Sequence, residues 1–246
     1  APKGTSTKNS VTVSWDAVKG AVSYDLLFNG TTHRVNGISK TVTGLNPGTK
    51  YSYQVRSNNA YGASSYSAAG TIETIPNPPA VPTNVSASAA GRGLTISWNL
   101  VSGANSYDIM LNGRNVYHAE KSPFQINGLI PDTEYTYQVR AVNAGGAGAY
   151  SVARNIKTLL LPPGIPQKIL AVAGADQIAL SWEPVEKASG YDVLFQNVVH
   201  NVTEAEYTAE GLKPAMLYTY CVRAKNAAGA SSYSQKKSIR TLLKTP

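Results

Sequence analysis

One cysteine, Cys221, stands in 246 residues, so no disulfide can close within the chain. No apolar run approaches the roughly 20 residues that a membrane-spanning helix needs, and no signal-peptide pattern opens the chain. Charged residues make up only 15 % of the total, and the net charge of +8 is spread thinly. Residues 1–79 carry 7 basic and 3 acidic side chains, 80–163 carry 6 and 4, and 164–246 carry 9 and 7. No basic run exceeds the pair Lys236–Lys237. Phosphate backbones call for a basic patch or stripe, so nucleic acid is excluded as a partner. No stretch keeps a 3.6-residue period, which leaves little room for helix. Gly-x-Ser-x-Gly, phosphate-cradling loops and Cys-x-x-Cys are all missing. The three histidines, His33, His118 and His200, recur singly along the chain, too far apart to share a metal, and read as surface residues on edge strands. No catalytic residue, cofactor or metal is expected.

What the chain does have is repetition. A twelve-residue pattern, Leu-x-Pro-x-x-x-Tyr-x-Tyr-x-Val-Arg, occurs at 45–56, 129–140 and 212–223, the last with Cys221 before its valine. Trp15, Trp98 and Trp182 lie 83 and 84 residues apart. A unit of that length can bury a core of its own, so the copies are domains: 1–76, 77–161 and 162–246.

Within each copy the strands announce themselves by period-two alternation. Val11–Trp15, Leu94–Trp98 and Ile178–Trp182 each turn two aliphatic residues and a tryptophan inward. A second strand turns in Tyr24, Leu26 and Phe28, then Tyr107, Ile109 and Leu111, then Tyr191, Val193 and Phe195. Asn29-Gly30, Asn112-Gly113 and Asn127-Gly128 supply turns for antiparallel pairing. In the repeated pattern itself Leu45, Tyr51 and Tyr53, with Leu129, Tyr135 and Tyr137, and Leu212, Tyr218 and Tyr220, complete the expected core. Tyr51, six residues after its leucine, stands where a tyrosine corner belongs. Asn59-Ala-Tyr-Gly62, Asn143-Ala-Gly-Gly146 and Asn226-Ala-Ala-Gly229 read as tight turns, followed by Tyr66-Ser67, Tyr150-Ser151 and Tyr233-Ser234.

These landmarks, recurring in order over essentially the whole chain, resemble three tandem fibronectin type III domains. The wording around Asn143–Ser151 and Asn226–Ser234 is most similar to the version in secreted bacterial proteins, polysaccharide-degrading enzymes and cell-surface proteins above all. The resemblance implies an all-β fold of three seven-stranded antiparallel sandwiches in an elongated array, located outside the cell or on its surface. It also implies a non-catalytic spacer that holds other modules apart, in a parent that could carry a glycoside hydrolase. The Arg-Gly-Asp motif of the animal adhesion version occurs nowhere, nor does the Trp-Ser-x-Trp-Ser box of cytokine receptors. The alternative is an adhesion or interaction module binding a surface protein or a cell-wall or plant glycan through loops or a sheet edge. The expected partners are flanking domains of the same protein. Membrane insertion is not expected, and the chain is read as a monomer.

Several finer expectations follow. Asp25 with Arg56, Asp108 with Arg140 and Asp192 with Arg223 should form cross-strand pairs on the outward side, exposed and structural, each contributing ~0.2–1 kcal/mol. Every tryptophan and most tyrosines are assigned to cores, which leaves no aromatic platform for sugars. Tyr61, beside the glycine of the last hairpin, is the single candidate contact. Cys221, in the outward place held by Gln54 and Gln138, should be partly exposed and able to cross-link chains. The sequons at Asn29, Asn84 and Asn201 are discounted on the bacterial resemblance. Proline-dense linkers at 75–82 and 159–166 should be extended, with Val81, Leu160, Leu161 and Ile165 packed at the junctions. The first strand, reduced to polar Lys3–Asn9, should be frayed or weakly paired, and that end the least stable. Leu242–Pro246 begins the same linker pattern, and Ala1 looks like a processed start, so the chain reads as a piece of a larger protein.

Overall fold

The computed structural model describes residues 1–244. Among them there is no helix, and twenty-four strands fall into three sets of eight. The first set is β1 (Lys3–Ser6), β2 (Ser10–Ser14), β3 (Ser23–Phe28), β4 (Thr31–Val35), β5 (Ser39–Thr43), β6 (Lys50–Asn59), β7 (Gly62–Ala63) and β8 (Gly70–Glu73). The second is β9 (Ser86–Ala90), β10 (Gly93–Ser97), β11 (Ser106–Leu111), β12 (Asn115–Ala119), β13 (Phe124–Asn127), β14 (Glu134–Asn143), β15 (Gly146–Ala147) and β16 (Arg154–Lys157). The third is β17 (Leu170–Ala173), β18 (Ile178–Ser181), β19 (Gly190–Phe195), β20 (Val198–Val202), β21 (Glu206–Ala209), β22 (Leu217–Asn226), β23 (Gly229–Ala230) and β24 (Lys237–Arg240).

Each set makes one antiparallel sandwich of two sheets. In the first, β1-β2-β5 faces a sheet in which β4-β3-β6 continues to both β7 and β8. The other two repeat this order. The seventh strand is thus broken in two by the stretch between β7 and β8, where Tyr66-Ser67 sits. Ser67 explains the break: its N–H donates to the Val55 carbonyl at 2.8 Å, and its Oγ accepts from the Val55 N–H at 3.1 Å. Ser151 and Ser234 do the same to Val139 and Val222.

The inward side chains are those that alternation marks. Val11, Val13 and Leu26 are fully buried, as are Ile96 and Ile109, and Ile178 and Val193. Trp15, Trp98 and Trp182 are buried, 8, 5 and 6 % exposed. Leu45, Leu212 and Tyr218 differ from expectation. They are only partly buried and pack on their cores from the rim, because the proline turn that carries the leucine lies at the sandwich end.

Strand β1 corrects a second expectation. It is not frayed: Lys3–Ser6 pairs with β2 along its whole length, from Lys3↔Ser14 to Ser6↔Val11. Ladder bonds belong to the backbone, so polar side chains do not weaken them. Small inward residues are required here, since a Cβ on Gly4 would lie 2.9 Å from Ile72 Cδ1 and 3.3 Å from the Tyr53 ring. The equivalent strand β17 turns Ala171 and Ala173 toward its core.

The hairpin turns need positive φ, which Asn29-Gly30 and Asn112-Gly113 supply at 43° and 84° and at 53° and 65°. The third copy reaches the same geometry with Gln196-Asn197, at 47° and 65°, without glycine.

By proximity the described residues divide into two compact units. One comprises 1–88, 95–126 and 135–156; the other comprises 89–94, 127–134 and the described residues from 157 on. Within the first unit the linker at 75–82 lies against the Asn143–Gly148 turn, and within the second the linker at 159–166 lies against the Asn226–Gly229 turn. Val81 and Ile165 do not pack there; they are 42 and 41 % exposed. Pro79, Pro82, Pro163 and Pro166 are the buried linker residues instead. Proline holds the extended path, and its ring is the apolar surface that path presents. Leu160 and Leu161 are half-buried, and Leu161 is tightly engaged: a Cβ on Gly91 would fall 2.3 Å from its Cδ2.

Candidate functional site

Three features recur at each sandwich. The first surrounds the tryptophan. Trp15 packs on Tyr24 with ring centroids 5.6 Å apart, Trp98 on Tyr107 at 5.1 Å, and Trp182 on Tyr191 at 5.2 Å. Each tyrosine hydroxyl accepts a loop N–H, from Val18, Val101 and Val185 at 2.8, 2.9 and 2.9 Å. These tyrosines therefore fasten the loop after the tryptophan, a role that inward alternation alone does not reveal. The indole nitrogens are buried and have no partner among the described residues. The tyrosine corner is a second fastening: Tyr51 and Tyr218 hydroxyls accept the Asn46 and Lys213 N–H at 3.0 and 2.8 Å. Thr74, Thr158 and Thr241, buried to 1–2 % exposure, close the same end by donating to the Asn46, Ile130 and Lys213 carbonyls at 2.6, 2.7 and 2.7 Å.

The second feature lies on the outward side of the larger sheet. Register sets Asp25 opposite Arg56, Asp108 opposite Arg140 and Asp192 opposite Arg223. Arginine Nε donates to aspartate Oδ2 at 2.9 Å in all three. The aspartates are not exposed, however; they are 3, 6 and 5 % exposed. The tyrosine of the Tyr-Ser pair explains the cover, because each guanidinium lies over its ring, Tyr66, Tyr150 or Tyr233, at 4.6–4.7 Å. The serine bonds described above place that ring. Each aspartate also takes a second basic partner, and this one varies: Arg34 at 3.4 Å, His118 Nδ1 at 2.7 Å and Lys225 at 2.6 Å.

For Asp192, burial favours the neutral form, but hydrogen bonds from Lys225 and Arg223 outweigh it and hold the carboxyl below the usual carboxylate range. A carboxyl that ionises more readily folded than unfolded contributes stability in full above its unfolded value, and loses it as pH falls through the folded value. The third sandwich should therefore weaken below about pH 4. Urea midpoints at pH 6 and pH 3 should differ less in Asp192→Asn than in the unaltered chain.

Cys221 also departs from expectation. It is 4 % exposed, and burial pushes its thiol up despite nearby Lys236. A thiol that is both enclosed and hard to ionise is a poor cross-linker. Elsewhere, His33 and His200 lie on β4 and β20, His200 packs on Tyr207 at 4.9 Å, and Glu204 and Glu206 line an open groove with Lys225. The described residues hold no group of three His, Cys, Asp or Glu side chains placed for a metal ion.

The third feature is the Asn-Ala-x-Gly turn. In each copy the asparagine Oδ1 accepts the N–H two residues on, Tyr61, Gly145 or Ala228, at 2.8–2.9 Å. Asn143 Nδ2 then donates to the Asn77 carbonyl at 2.9 Å, and Asn226 Nδ2 to the Leu161 carbonyl at 2.9 Å. The turn is thus a latch on the incoming linker. Tyr61, on the first turn, is fully exposed.

The fibronectin type III domain model matches residues 2–73, 80–157 and 164–240. The chain belongs to this family. Three fibronectin type III domains account for it almost completely and leave no stretch for a separate catalytic domain, and these domains are not enzymes. Exoglucanase B of Cellulomonas fimi is 32 % identical over 99 % of this chain and 25 % of its own length. Endoglucanase B of Cellulomonas fimi is 32 % identical over 93 % and 25 %, and chitinase A1 of Niallia circulans 32 % identical over 62 % and 24 %. The chain thus spans about a quarter of these relatives. No helix among the described residues is long and apolar enough to cross a membrane.

Proposed function

We propose that this chain is a spacer, a run of fibronectin type III domains that holds the working modules of a larger extracellular or cell-surface protein apart. The observation that carries this reading is the use of every repeated large side chain within its own sandwich. The tryptophans are buried, Tyr66, Tyr150 and Tyr233 lie beneath arginines, and those arginines are bound to buried aspartates. Stacking on a sugar ring needs a free aromatic face, and these faces are taken. The short linkers, each held to the following domain by an asparagine, suit a part that sets distance. The likeness to regions of two glucanases and a chitinase supports a parent that acts on polysaccharide.

One observation favours a second reading, that of an interaction module. Tyr61 stands fully exposed with no counterpart in the other two turns. Co-sedimentation of the 246-residue chain with insoluble cellulose and chitin separates the two. A spacer stays in the supernatant at all concentrations. Saturable retention that disappears in Tyr61→Ala would establish the module and overturn the spacer.

A further inference from the structure

The two occupied latches raise the question of what the first one is for. Asn59, Tyr61 and Gly62 form the same turn as Asn226, Ala228 and Gly229, and β1 pairs with β2 in the same register as β17 with β18 (Lys3↔Ser14, Leu170↔Ser181). Adding 167 to a residue number therefore carries the first sandwich onto the third. Asn59 Oδ1 is engaged by the Tyr61 N–H, as in the other copies, but Asn59 Nδ2 has no partner among the described residues. Beside it runs an open groove of about 320 Å³ lined by Val18, Gly20, Asn58, Asn59, Tyr61 and Gly62. Asn58 is 5 % exposed, and its own Nδ2 is buried without a partner. Asn59 is exposed, and its Nδ2 is placed as Asn143 Nδ2 and Asn226 Nδ2 are, which in their turns donate to a linker carbonyl.

We infer that this groove is a docking site for an extended, proline-containing strand of the Leu-Leu-Leu-Pro-Pro kind. The two linkers in the chain show which kind fits. The path of 75–82 does not, because it passes over glycine: a Cβ on Gly145 would lie 1.9 Å from the Pro76 carbonyl oxygen, and one on Gly148 2.3 Å from that of Pro79. The first sandwich has Tyr61 and Ser64 at those places. The third has Ala228 and Ser231, and there Asn226 still reaches the Leu161 carbonyl, with Pro162 3.6 Å from a Cβ on Gly229. Leu159–Pro163 is thus the segment whose course tolerates side chains at both places. Docked so, its carbonyl accepts from Asn59 Nδ2, and its prolines lie along the exposed Tyr61 ring, a pairing of preformed extended strand and aromatic face that proteins use widely.

The inference extends the spacer reading to the first domain, but its test does not depend on that reading. The test is a chain extended by fusing a copy of residues 158–167 directly ahead of Ala1, which the 167-residue offset puts in register with β1. Tethering makes the contact intramolecular, so a weak site fills. In the extended chain the backbone amides of Tyr61 and Gly62 should shift in NMR spectra, and the first sandwich should melt several degrees higher. Asn59→Ala should remove most of that rise in the extended chain and change the unextended one little. An extension with Pro162 and Pro163 replaced by serine should give a smaller rise. Unmoved Tyr61 and Gly62 amides, or a rise that Asn59→Ala leaves intact, would overturn the inference. Co-sedimentation with polysaccharide would be unaffected in either case, so its failure is separable from that of the spacer reading.

Discussion

Trp98→Ala should unfold the second sandwich while the first stays folded. The indole is 5 % exposed and donates no hydrogen bond among the described residues, so the loss is wholly one of apolar burial and the cavity left behind. Truncating a buried tryptophan costs about 3–5 kcal/mol. A domain of this size is stable by roughly 4–12 kcal/mol at the usual contribution per residue, so most of the margin can go in one substitution. The cluster around Val11, Val13 and Leu26 contains no residue of the second sandwich and should hold. Amide hydrogen exchange reads the two separately. The Ile109 amide should lose protection by orders of magnitude and the Leu26 amide should keep it. Retained protection at Ile109 would show that the tryptophan is not the centre of its sandwich.

Arg140→Met should be nearly as damaging, for a different reason. The methionine keeps much of the apolar stem, so what disappears is the charge, its bonds to Asp108 and its contact with Tyr150. Asp108 then remains buried, with only His118 to meet it. Stranding a buried charge costs 3–5 kcal/mol in well-enclosed pairs. Here the arginine side chain is 31 % exposed, and solvent screening reduces the figure to about 2–3 kcal/mol. The double variant Asp108→Leu/Arg140→Met should recover most of that loss, since no charge is left unpaired. Chemical denaturation of the two variants and the parent completes the comparison. A double variant no more stable than Arg140→Met alone would mean that the ion pair is not what the arginine contributes.

The sandwich cores were legible because a half-buried strand writes its inner face at every second residue. Val11, Val13 and Trp15 could hardly belong anywhere else. Alternation says which side a residue takes, not what covers that side. Asp25, Asp108 and Asp192 do point away from the core, yet they are buried because Arg and Tyr from neighbouring strands roof them over. Tyr66, Tyr150 and Tyr233 count as core tyrosines by recurrence, yet they lie under the outward arginines, because their strand is broken there and no period survives to place them. Cys221 reads as exposed beside Gln54 and Gln138 only while its position is judged by sidedness alone. The linker latch was out of reach in another way. Asn143 and Asn226 meet carbonyls 66 and 65 residues earlier in the chain, and their sequence context explains a turn so fully that nothing hints at a second bond. A signal was present all the same. Glycine at 145 and 148, where the third sandwich has alanine and serine, marks the place where a linker backbone comes close.

Tryptophan fluorescence is the most direct examination of the idea that the chain spends its aromatic side chains on its own folding. The folded chain should emit at short wavelength, resist quenching by acrylamide, and be indifferent to soluble cello- and chito-oligosaccharides. Emission characteristic of water-exposed indole, or a saturable change in intensity as an oligosaccharide is added, would contradict it.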